Sequence, residues 1–313
     1  MSLAEFDLIQ RFFAVNPAKN ATTRLAIGDD CALLSVPGGQ QLAFTTDTMV
    51  AGVHFLPDVA PYDLGYKLLA VNLSDLAAMG AAPIAVTLAL TMPTADEAWL
   101  AAFAQGFWAL AERYRVDLIG GDTTSGPLTL TLGAFGLTPE DGALLRSGAR
   151  SGDWIGMTGR LGDAGLGLKI EQGYCCQSPE QALLRFNRPE PRVDAGLMLR
   201  AKASSCIDIS DGLAQDLGHV LQLSGVGACL DWDRLPLSDA VKAYIDATGD
   251  WTFPLRAGDD YELCFTVPPE VACLLPGDFT FIGVIENTPG LRISRGKTIE
   301  SLTVQGFEHF SEK

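Results

Sequence analysis

Hydrophobic and polar positions alternate along residues 84–92, with Val86, Leu88, Leu90 and Met92 on one side and Thr87, Ala89 and Thr91 on the other. A period of two predicts a strand with one buried face. "LTLTLGAFG" (128–136) repeats the pattern, and "QLAFTTDTMV" (41–50) reads as a strand ending in polar residues. From Leu100 to Tyr114 the period changes: Leu100, Phe103, Phe107 and Leu110 recur at +3/+4, which predicts an amphipathic helix opened by a Thr94/Glu97 capping box. A second helix is expected over 62–80, and a short strand over 116–122 that runs into a glycine turn. "LTPEDGAL" (137–144) is rich in turn residues and marks a boundary. Beyond it, helices are expected at 191–202, 211–223 and 238–247, with another opened by Ser178-Pro179 and capped with Gln181. Strands are expected at 153–158, 227–231, 261–267 and 279–285. The mixture lacks β-α-β regularity and predicts an α+β fold of two mixed α/β domains, 1–137 and 138–313.

Composition changes the picture in two places. Residues 76–95 carry no charge, which raises the question of a membrane span, but Gly80, Pro83 and Pro93 interrupt the stretch and its second part is the alternating strand above. The net charge of −16 argues against a nucleic-acid surface, because phosphate backbones need Lys and Arg. With 48% hydrophobic residues the chain can bury a sizeable core. Seven cysteines, odd in number and without C-x-x-C spacing, suggest neither a zinc site nor a disulfide framework and fit a reducing cytoplasm. The acidic N-terminus does not read as a signal peptide.

The candidate chemistry is built on oxygen. Familiar nucleotide signatures are missing: "GLRISRGKT" (290–298) has five residues between its glycines where a P-loop has four, and "GLGLKI" (165–170) lacks the third glycine of a dinucleotide fingerprint. Three histidines cannot build a histidine-rich metal site. What recurs is aspartate beside Gly, Ser or Thr: "IGDD", "TTDT", "NLSDL", "IGGDTT", "DISDGL" and "AGDD". Taken singly, each is equally a turn or a helix cap. Taken together they offer hard oxygen ligands without thiolate or imidazole, the set that suits Mg²⁺ or Ca²⁺, and Mg²⁺ commonly joins one or two carboxylates to substrate phosphates.

The strings "IGDDCALL", "TTDTMVAGVHF", "VNLSDLAAMGAAP", "LIGGDTT", "DISDGL" and "GDDYELCFT", in this order, together with the closing "GFEHF" (306–310), resemble the thiamine-monophosphate kinases of the aminoimidazole ribonucleotide synthetase superfamily. The resemblance implies direct in-line, Mg²⁺-assisted transfer of the ATP γ-phosphate to thiamine monophosphate. It also implies a homodimer formed through a mixed sheet of the N-terminal domain, and a C-terminal domain that closes the active-site cleft. Carried over by position, Asp30, Thr45, Thr46, Asp47, Asp75, Asp122, Asp208 and Asp211 resemble the ligands of several Mg²⁺ ions. Gly121, Asp122, Arg146 and Ser210 resemble ATP contacts, and His54, Glu262 and Phe307 resemble thiamine-side contacts. Without the resemblance, His54 reads as a structural histidine, and Glu262 serves equally as the partner of Arg256. A phosphate acceptor is already ionised, so no general base is expected. Two other readings stand beside this one: another ATP-using member of the superfamily, of cyclo-ligase or selenophosphate synthetase type, and a Ca²⁺-binding module with structural acids.

Overall fold

A strand that alternates apolar and polar residues is stable only with one face covered, and two long helices follow or flank the alternating strands of the first half. The computed structural model describes residues 5–16 and 18–303. The chain divides into two units, Met1–Leu76 with Ala81–Asp141, and Ala77–Gly80 with Gly142–Lys313.

In the first unit α1 (Glu5–Leu8) continues as a π turn, Ile9–Phe13, followed by the short strands β1 (Thr23–Leu25) and β2 (Leu33–Leu34). Then come β3 (Gln40–Val50), α2 (Pro61–Ala78), β4 (Ala82–Met92), α3 (Glu97–Tyr114), β5 (Asp117–Ser125) and β6 (Thr129–Pro139). The main sheet has the order β3-β6-β4-β5. β3 pairs antiparallel with β6 over all eleven residues without a slip, whereas β4 and β5 are parallel with a bulge beside Val86/Thr87. Leu88, Leu90, Leu130 and Leu132 are buried on the sheet, as are Leu68, Leu69 and Leu73 of α2 and Leu100, Phe103 and Phe107 of α3. Asp117, buried at the start of β5, accepts the N–H groups of Lys19 (2.7 Å) and Asn20 (3.0 Å) and the Thr23 hydroxyl (2.8 Å). This pins the segment that leads into the Asp29-Asp30 loop.

The second unit is built on a seven-stranded sheet of order β13-β12-β9-β11-β7-β10-β8. In chain order its elements are β7 (Trp154–Met157), α4 (Asp163–Glu171), α5 (Glu180–Asn187), α6 (Val193–Leu199), β8 (Ser205–Asp208), α7 (Leu213–Ser224) and β9 (Gly227–Asp231), continuing with α8 (Asp239–Thr248), α9 (Phe253–Arg256), β10 (Leu263–Val267), α10 (Pro269–Ala272), β11 (Thr280–Glu286), β12 (Gly290–Arg295) and β13 (Thr298–Ser301). Only the β9–β12 pairing is parallel. Ile155, Ile207, Leu230 and Ile293 of the sheet share one core with Leu213, Leu217 and Val220 of α7.

Several local expectations change. Thr94 and Glu97 do not form a capping box: Asp96 is the N-cap of α3 and accepts the N–H groups of Ala98 and Trp99. A carboxylate two residues nearer the first turn than Thr94 reaches those donors first. At α5 the N-cap is Pro179, with no side-chain cap bond, so Ser178 and Gln181 do not close that end. "GLRISRGKT" forms the β12–β13 hairpin, turned at Gly296 with a φ of +61°. "GLGLKI" lies within α4. The seam between units falls after Asp141, because β6 runs on through Pro139 before the chain turns. Among the described residues, no helix is long and apolar enough to cross a membrane.

Candidate functional site

In the first unit the sheet sorts the acids by row and by face. Alternation along β3 turns Thr45 and Asp47 inward and leaves Leu42, Phe44, Thr46 and Thr48 exposed. On the inner face Thr45 Oγ1 donates to Asp75 Oδ2 at 2.5 Å, tying β3 to α2. Asp47 lies two residues further along the same face. Burial, and after it the charge of Asp75, push its carboxyl up from 3.8 to about 6. Thr46 is not brought to this pair by its side chain. Its hydroxyl lies on the opposite face and donates to the Leu132 carbonyl at 3.2 Å.

Asp47 stands in the row Leu132–Leu88–Gly121, and Asp122 in the adjoining row Thr48–Thr131–Ala89. Asp122 is therefore three strand spacings from Asp47, about 14 Å. One cation cannot touch both side chains, and by strand alternation Asp122 shares the face of the exposed Thr48 and not that of Asp47. Asp122 is exposed at the open edge of β5. Gly121 before it has a φ of +150°, and a Cβ there would stand 1.8 Å from the Leu88 carbonyl oxygen. Asp30 is exposed in the loop between β1 and β2, its N–H donating to Asp29 Oδ1. His54, half-buried in the turn after β3, accepts the Val50 N–H at Nδ1 (3.0 Å). That bond leaves the proton of the neutral ring on Nε2.

The second unit gathers its acids at the end of β8. Asp208 is buried, Asp211 half-buried, and Asp216 in the first turn of α7 is buried beside them. Burial, then the charges of Asp208 and Asp211, push the Asp216 carboxyl up to about 8 against the pull of two backbone N–H groups. The segment 258–262 braces this loop. Asp259 N–H donates to Ser210 O and Tyr261 N–H to Ile209 O, each at 2.8 Å, and Ile209 N–H donates to Glu262 O at 2.7 Å. Asp259 and Tyr261 both have positive φ, +66° and +48°. Between them Asp260 is fully buried and accepts the Gly162 N–H at 2.8 Å, which pegs the segment to the start of α4. The second "GDD" thus braces the "DISDG" backbone of the same unit rather than adding a further set of open acids. Ser210 is half-buried, and Arg146 is exposed on the loop before β7.

Glu262 differs from expectation. Its side chain is 1% exposed, and Arg185 reaches it at 2.6 Å, Arg192 with two nitrogens at 2.6 Å each, and the Thr158 hydroxyl at 2.5 Å. The salt bridge to Arg256 does not form, because Arg256 pairs with Asp250 instead. A carboxylate buried this deeply requires paired charges, and two guanidiniums supply them. Phe307 lies outside the described residues. Asp216, Arg185 and Arg192 escaped the sequence reading. An acid four residues after "SDG", in the first turn of a helix, was the available signal for Asp216. A further oxygen, Asn72 Oδ1, is buried one turn before Asp75 with no partner among the described residues.

Among the described residues, no three His, Cys, Asp or Glu side chains form a ready-made metal cage. The oxygen-only donor set fits Mg²⁺ nonetheless, because that ion retains waters and takes phosphate oxygens to complete its shell. Asp47 crowded against Asp75 is the kind of site that a cation relieves.

The AIR synthase related protein N-terminal domain model matches residues 28–138. The chain is 48% identical to the thiamine-monophosphate kinase of Salmonella typhimurium (strain LT2), over 99% of each chain, and 47% identical to that of Escherichia coli (strain K12), again over 99% of each. Its structure is similar to the crystal structure of thiamine-monophosphate kinase from Stenotrophomonas maltophilia K279a (TM-score 0.83, 44% identity, covering 94% of this chain and 97% of that one). It is also similar to AaThiL complexed with AMPPCP and TMP (TM-score 0.79, 31% identity, 98% and 97% covered). With such identity sustained from end to end, over the strands and loops that carry the acids above, the chain belongs to the thiamine-monophosphate kinase family.

Proposed function

We propose that the chain transfers the γ-phosphoryl group of ATP to the phosphate of thiamine monophosphate, giving thiamine diphosphate and ADP in one in-line displacement. The observation that carries this reading is the Asp47–Asp75 pair, a strand carboxylate and a helix carboxylate brought together in a chain matched end to end by kinases of this name. Donor and acceptor are both anionic, so the task is to overcome repulsion rather than to make a nucleophile. When bound, several Mg²⁺ ions supply that neutralisation.

Asp30, Asp47, Asp75 and Asp122 of the first unit and Asp208 and Asp211 of the second are the carboxylates that would hold the cations. Thr45 orients Asp75, and Thr46 would add its backbone carbonyl rather than its hydroxyl. Gly121 and Ser210 give ATP close backbone approach, and Arg146 donates to its phosphates. His54 serves the thiamine side through Nε2–H. Glu262 serves it indirectly, by holding Arg185 and Arg192 in place, and Phe307 completes that side. Leu42 and Phe44, 42% and 60% exposed on the outer face of β3, support a homodimer through that sheet. The odd number of cysteines supports a reducing, cytoplasmic setting.

Incubation with ATP, Mg²⁺ and thiamine monophosphate tests the reading. Equal amounts of thiamine diphosphate and ADP are expected, with none after chelation of Mg²⁺. Formation of AMP, or no thiamine product, overturns it. With ATP made chiral at the γ-phosphorus, the product should show inversion. Retention would mean two displacements through a phosphorylated residue.

A further inference from the structure

The backbone polar groups of residues 209–212 divide into two sets. The N–H and carbonyl of Ile209 and the carbonyl of Ser210 are taken by the 259–262 segment. The N–H groups of Asp211 and Gly212 both point at one atom, Asp216 Oδ2, at 3.1 and 3.2 Å. Gly212 has φ +114° and ψ 143°, a conformation open to glycine alone, and a Cβ there would stand 2.8 to 3.0 Å from the Arg256 backbone. The loop is therefore held between the Arg256 backbone and the Asp216 carboxylate. Gln215 Nε2 also donates to Asp211 Oδ2 at 3.2 Å, so consecutive residues of α7 hold the backbone and the side chain of Asp211.

We infer that Asp216 is a positioning residue for the reaction. By accepting the Asp211 and Gly212 N–H groups it fixes the direction in which the Asp208–Asp211 loop presents its oxygens. The inference rests on the reading above, in which Asp208 and Asp211 hold cations. The role is that of an acceptor and does not require Asp216 to touch a ligand. Outer groups that orient metal ligands typically change metal affinity about 10- to 100-fold when removed.

Two substitutions separate positioning from ligation. Asp216→Asn keeps an oxygen where the two N–H groups point and removes the charge. Asp216→Ala removes the acceptor. In metal-free protein, Asp216→Ala should raise hydrogen exchange at the Asp211 and Gly212 amides about tenfold or more, and Asp216→Asn should not. In the assay, Asp216→Ala should raise the Mg²⁺ concentration for half-maximal rate about tenfold, with the KM for thiamine monophosphate within about threefold of the parent, and Asp216→Asn should stay near the parent in both. If Asp216→Asn folds and loses Mg²⁺ response as fully as an alanine would, Asp216 acts by its charge and the inference fails, even should Asp216→Ala not fold. Unchanged exchange in a folded Asp216→Ala variant also overturns it. A parent protein with no Mg²⁺ response would instead sink the metal reading, and the exchange result would still decide the role of Asp216 in holding the loop.

Discussion

Thr45 and Asp75 are joined by a hydroxyl–carboxylate bond of 2.5 Å that links the inner face of β3 to α2. It fixes a candidate cation ligand on the helix from the neighbouring strand. Thr45→Val keeps shape and β-propensity and removes the donor, so it should fold and raise the Mg²⁺ requirement about tenfold. Thr45→Ser should restore most of it. A Thr45→Val enzyme with an unchanged Mg²⁺ titration would show that Asp75 needs no such orientation.

Asp47 gives a pH dependence with a definite sign. Its folded carboxyl titrates at about 6 against 3.8 for an ordinary aspartate, so the fold holds the proton more tightly than the unfolded chain does. The unfavourable charge is absent below about pH 4 and fully present above about pH 6, so metal-free protein should lose stability through that window. The loss is on the order of 1–2 kcal/mol for this partly exposed group. Asp47→Asn should remove the dependence and raise the metal-free melting temperature at pH 7, while lowering the transfer rate by orders of magnitude. Denaturation scans from pH 4 to 7 check the first effect and product assays the second.

Glu262 and Arg256 make a contrasting pair. Glu262→Gln leaves two guanidiniums around a neutral amide and should cost about 3–5 kcal/mol, seen as a lower urea midpoint. Arg256→Ala removes a half-exposed ion pair with Asp250 and should cost under about 1 kcal/mol. Equal midpoints for the two variants would return Glu262 to an open, substrate-facing acid.

Gly121 has a reason of its own to be glycine. Gly121→Ala would drive a methyl group into the Leu88 carbonyl in a backbone conformation that L residues rarely adopt. The β4–β5 pairing should give way, with a drop of several degrees in melting temperature and loss of ATP-dependent turnover together. Normal stability with turnover alone lost would place the role of Gly121 at the nucleotide rather than in the sheet.

The alternating strands and α3 were legible because each has one buried and one more open face, as Val86 to Met92 show, whereas α2 is buried on nearly every side. The β12–β13 hairpin was not, since β13 is a four-residue edge strand whose residues are mostly exposed. Acids next to glycine and threonine were legible as a class, yet the sequence could not sort Asp47 from Asp260. One faces an acid on the helix packed against its strand, and the other lies fully buried and caps a helix 98 residues away. Register made that difference, and register is a long-range property. The partners of Glu262 were hidden for the same reason, because Arg185 and Arg192 lie some seventy residues earlier in the chain.

The even and odd residues of β3 answer to different demands, one set held against Asp75 and the other facing outward as Leu42 and Phe44. A strand read on both sides tolerates substitution far better than a change of length. Deleting one residue between Gln40 and Phe44 would exchange the two sets along the remaining strand, turning Thr45 outward and Phe44 toward the acids. Natural variation in this stretch should therefore consist of replacements, with insertions and deletions confined to the loops on either side of it.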